Sequence, residues 1–103
     1  MAAESLLSRP AKNPSVGLHS LMPTILVIAG FAFRIFRPPR EHGPPHVHVW
    51  KSGAKAIILL GDSDNTPTVR RVLRMSPHDV TRALRIVGEH QELLLRRWRE
   101  YHE

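Results

Sequence analysis

The chain has 103 residues, no cysteine, and 15 Lys and Arg against nine Asp and Glu, giving a formal net charge of +6 at pH 7. This length suits one domain with a small core, and the lack of thiols excludes disulfides, thiolate nucleophiles and cysteine-bound zinc. Twelve of the cations are arginine, the side chain suited to bidentate contact with phosphate or carboxylate, so the expected partners are nucleic acid or an acidic protein.

Residues 1–21 mix Ser, Pro, Lys, Asn, Gly and His with short apolar runs and read as a mobile N-terminal extension. They hold no apolar segment of signal-peptide length, and the run Ile25 to Phe33 is about half of what a bilayer requires. A cytoplasmic protein that does not enter membranes is the expectation, with residues 22–103 as a single domain. Met22-Pro23-Thr24-Ile25 looks like a second beginning.

Thr24 to Ala29 is β-branched and apolar, a strand candidate, and Gly30 supplies a turn or bulge before Phe31 to Phe36. In that second run Phe31, Phe33 and Ile35 share one face and Arg34 takes the other. The two runs form a hairpin or one bent strand. Arg37-Pro38-Pro39-Arg40-Glu41-His42-Gly43 is a charged loop that delivers Arg37, Arg40 and His42 near the next segment.

That segment, Pro44-Pro45-His46-Val47-His48-Val49-Trp50-Lys51, carries the strongest chemical signal. The prolines fix an extended entry into a strand. Alternation then points Val47 and Val49 to the core and sets His46, His48 and Trp50 on the opposite face. Residues two apart on one strand are separated by about 6.6 Å, close enough for two imidazoles to flank one reacting group or share one metal.

Ser52-Gly53 is a hairpin turn, and Ala54 to Leu60 returns beside the histidine strand. Gly61 to Pro67 is a loop whose Asp62-Ser63-Asp64 fails as a calcium site, because Pro67 and Leu73 stand where the motif needs Gly and Glu. Thr68 to Met75 is a short edge strand or an irregular lead-in. Ser76-Pro77-His78-Asp79 starts a helix at residue 77, with Ser76 as N-cap. Val80, Leu84, Val87, Leu94, Trp98 and Tyr101 define its buried stripe, and either the helix kinks or two helices meet between Gly88 and His90. His78 reads as a first-turn surface residue and His102 as a tail residue. The expected fold class is α+β, with three to five short antiparallel strands and a C-terminal helix or helix pair on one sheet face.

In the Met22-Pro23-Thr24-Ile25 start, the Pro44-Pro45-His46-Val47-His48-Val49 element and Trp98 near a helix end, the chain resembles the bacterial family called domain of unknown function 4160, over about residues 22 to 102. The resemblance implies a start at Met22 and a toxin-like component of a toxin–antitoxin pair, with an acidic antitoxin-like partner. Trp50 departs from the family pattern, where an acidic residue is common, and this weakens any requirement for a carboxylate beside the histidines.

Three chemistries compete for the His-x-His strand. A ribonuclease needs a base, an acid and cationic stabilisation of the phosphorane, which His46, His48 and Arg34, Arg37 or Arg40 supply, with Trp50 stacking a base. A divalent metal site, for zinc or another ion, would use His42, His46 and His48. A non-catalytic module would bind nucleic acid or an acidic partner through its arginines alone. A His-x-His-x-His phosphate-transfer motif is excluded, since Trp50 stands at the third position. The bland alternative makes both histidines the polar outer face of an edge strand. A homodimer through an unpaired strand edge, at Thr24 or at Thr68, is a further expectation.

Overall fold

The computed structural model describes residues 23–37, 43–62 and 64–102. The N-terminal extension expected over residues 1–21 lies outside them. Five strands, β1 (Thr24–Ile28), β2 (Phe31–Arg34), β3 (His46–Lys51), β4 (Ala54–Leu59) and β5 (Thr68–Leu73), form one antiparallel sheet in sequence order. Two helices follow, α1 (Pro77–Glu89) and α2 (Gln91–His102). The expected α+β class is the observed one.

Each local feature has a chemical cause in the sequence. β1 and β2 form a hairpin rather than one bent strand, because Ala29 and Gly30 take φ of 54° and 84° and close a two-residue turn. Ser52 and Gly53, at 49° and 82°, do the same between β3 and β4. Positive φ at both central residues gives the turn whose twist matches paired strands. The Ser76 Oγ accepts from the Asp79 backbone N–H at 3.1 Å, and Pro77 opens α1. Gly88 stays inside α1; the chain breaks at His90, whose N–H donates to the Ile86 and Val87 carbonyls.

The core lies between one sheet face and the helices. Phe31, Phe33, Val47, Val49, Ala56 and Ile58 come from the sheet; Ala83, Ile86, Val87, Leu94, Leu95 and Trp98 come from the helices. The stripe expected on the helices is the observed one: Val87, Leu94 and Trp98 are buried, Val80, Leu84 and Tyr101 pack partly buried against the core, and Ala83, Ile86 and Leu95 widen it. Ala83, Val87, Leu94 and Trp98 follow one another at spacings of four and seven, so one stripe runs across the break at His90.

Alternation within Thr68 to Leu73 fails. Val69 pairs with Ile58 and Val72 with Ala56, so a bulge at Arg70 brings two residues three apart to the same face. The Gln91 side-chain amide ties α2 to the loop before β5, donating towards the carbonyls of Leu60, Asp62 and Asn65. Lys51 at the end of β3 pairs with Asp79 at 3.2 Å and fixes the start of α1 over the sheet. No helix among the described residues is long and apolar enough to cross a membrane.

Candidate nucleic-acid interface

β3 is the central strand, which corrects the edge-strand alternative for its histidines. Its register places functional side chains in rows across the sheet face turned away from the core. Arg34, His48, Ile57 and Arg71 align in one row, and Ala32, Trp50, Lys55 and Leu73 in the next. Partners in antiparallel register project to the same side, so each row is a fixed consequence of the two hairpins.

A groove of about 410 Å³ runs over these rows, lined by Phe36, His48, Trp50, Lys55, Ile57, Arg71 and Leu73, among others. Phe36 stacks on His48 with ring centroids 4.3 Å apart and planes at 21°. Two cations flank the Trp50 ring, the Arg34 guanidinium at 5.7 Å and the Lys55 ammonium at 4.8 Å from its centroid. Both distances fit cation–π attraction. The Trp50 Nε1 and Arg34 Nε atoms are buried donors with no hydrogen-bond partner among the described residues. Such donors carry a desolvation cost in the folded chain.

His46 sits differently. It starts β3, is 4% exposed, and lies against Trp98 of α2 with centroids 4.9 Å apart. Its Nδ1 is 3.0 Å from the Pro44 carbonyl oxygen. A carbonyl only accepts, so Nδ1 carries the proton in this arrangement. His46 also meets His48 edge-on at 5.3 Å, and Trp98 stacks on His102 at 3.7 Å. Rings therefore run unbroken from Phe36 through His48, His46 and Trp98 to His102. His102 is a packed member of this series and not a tail residue, its Nδ1 lying 3.0 Å from the Trp98 carbonyl.

The structure thus joins Arg34, His48 and Trp50 on one face, and covers His46, at the end of the same row of β3 side chains, with Trp98. Arg37 lies over the Tyr101 ring at 4.4 Å, committed to α2. Arg40 and His42 lie outside the described residues, and among those described no three His, Asp or Glu side chains cluster as a metal site. Sequence reading missed Phe36, Lys55, Ile57 and Leu73 as groove residues. The two-residue turn at Ser52-Gly53 held the signal for Lys55 and Ile57, since it fixes them opposite Trp50 and His48.

Residues 30–99 match the family model described as Domain of unknown function (DUF4160). The chain belongs to the DUF4160 family. The matched segment contains every residue lining the groove, and β1 falls outside it. No curated protein matches the chain, and no solved structure does.

Proposed function

We propose that the protein binds single-stranded RNA across the open face of its sheet. The observation that carries this reading is the groove itself, where the Trp50 indole between Arg34 and Lys55 adjoins the Phe36–His48 stack. Aromatic faces beside cations suit unpaired nucleic acid, because bases stack on the rings while Arg and Lys meet the phosphates. Within a toxin–antitoxin-like pair, RNA capture would be the activity of the toxin-like component.

Binding is preferred to two-histidine cleavage on geometric grounds. General acid–base work on one phosphodiester needs both groups within reach of the substrate. His48 lines the groove, whereas the His46 ring is buried between His48 and Trp98.

The test is fluorescence anisotropy of a labelled uridine-rich oligonucleotide. Stacking is worth about 1–3 kcal/mol per base, so Trp50→Ala should weaken binding about tenfold or more. Arg96→Gln, on the exposed side of α2, should change it little. Equal losses from both variants, or none from Trp50→Ala, would reject the groove as the interface. RNA recovered afterwards should be intact on a denaturing gel; fragments that disappear with His48→Ala would restore the ribonuclease reading.

A further inference from the structure

β5 ends the sheet, and all six of its residues are exposed. Four large apolar side chains are exposed among the described residues, and three belong to this strand: Val69 at 37%, Val72 at 44% and Leu73 at 48%. The bulge at Arg70 sends Val69 and Val72 to the helix side, while Leu73 faces the open side with Arg71. Apolar surface therefore borders both sides of a backbone edge that has a sheet neighbour on one side alone. Scattered apolar residues on a surface need no explanation, but their concentration on one edge strand marks a pairing surface.

We infer that β5 takes up an extended acidic segment of a partner protein by strand addition. The occupant follows from charge. Arg70, Arg71 and Arg74 stand in and just after the strand, with no Asp or Glu between Thr68 and Met75. No ion pair among the described residues engages these three arginines. A second copy added antiparallel to β5 would bring arginines opposite arginines, an unfavourable cross-strand pairing. The charges and the bulge guard the edge against self-association. A strand alternating apolar and acidic residues meets the same edge with every term favourable: ladder hydrogen bonds, burial of Val69, Val72 and Leu73, and opposite charges on the guanidiniums.

The experiment titrates the full chain with a capped synthetic peptide alternating valine and glutamate, followed by calorimetry and by hydrogen exchange of the β5 amides. The expected result is saturable binding with slowed exchange within Thr68–Leu73. Binding should be lost when lysine replaces glutamate or proline replaces the central valines, and Val72→Lys in the protein should weaken it about tenfold. Three results would overturn the inference: no saturable binding, equal binding of the proline peptide, or a peptide-free dimer that Val72→Lys dissolves. Trp50→Ala should leave the peptide isotherm unchanged and Val72→Lys should leave RNA binding unchanged, so failure of one site is distinguishable from failure of the other.

Discussion

His46 and His48 are two residues apart, yet their environments assign them opposite tasks. The His46 ring is wedged between His48 and Trp98 with Nδ1 against a carbonyl, so its truncation opens a hole at the junction of β3 and α2. His46→Ala should cost about 2 kcal/mol in urea denaturation, and His48→Ala, made at a half-buried groove position, less than half as much. RNA affinity should show the reverse order, provided it is measured below the denaturation range of each variant. Alternation alone placed both histidines and Trp50 on one face, and that was correct. It could not show that Trp98 would cover one of them, because that contact spans half the chain. A converse case is Gly88, which sits inside α1 with nothing within 4 Å of an added Cβ. Gly88→Ala should therefore stabilise the protein by about 0.5–1 kcal/mol, read as a higher urea midpoint.

At the level of elements, short-range chemistry was legible and exceptions to periodicity were not. Ser52-Gly53 announced its hairpin and Ser76-Pro77 its helix, since each needs only the chain neighbours that the sequence displays. The Arg70 bulge arises from pairing with a distant segment, and strict alternation misassigns the residues beyond it. The loop between β4 and β5 offers a sharper test. Gly61 has φ of +69°, and an added Cβ would collide with the Asn65 carbonyl oxygen. Gly61→Ala should thus destabilise by more than about 1 kcal/mol and loosen the Gln91 contacts, visible as faster amide exchange at residues 60–65. The same loop is acid-sensitive. The Asp64 backbone N–H, at 2.9 Å, and then the Asn65 side chain hold the Asp62 carboxyl below its ordinary pKa. A depressed carboxylate stabilises the fold at neutral pH, and that contribution is lost as pH falls through the folded value. The stability gap between wild type and Asp62→Ala should accordingly narrow in the acid range below the ordinary carboxylate pKa, measured by urea denaturation across pH.

For the whole molecule, the question is whether a net charge of +6 acts diffusely or through one face. Diffuse attraction would engage arginines on β5, α1 and α2 alike, and the affinity for RNA would fall steeply with salt. The open face presents three cations to a bound strand, Arg34, Lys55 and Arg71, all on the two register rows that hold His48 and Trp50. Each phosphate neutralised on a single strand contributes about −0.7 to the slope of log affinity against log salt, so a groove-limited contact predicts a slope of about −2. Lys55→Gln should make that slope shallower by about 0.7, and Arg96→Gln should leave it unchanged. The stacking component survives salt, because burial of a base on Trp50 releases no counterion. Trp50→Ala should therefore lower affinity by the same factor at low and high salt, while Lys55→Gln loses its effect as salt rises. A slope much steeper than about −2 that every arginine variant reduces equally would transfer the binding energy from the groove to the basic surface as a whole.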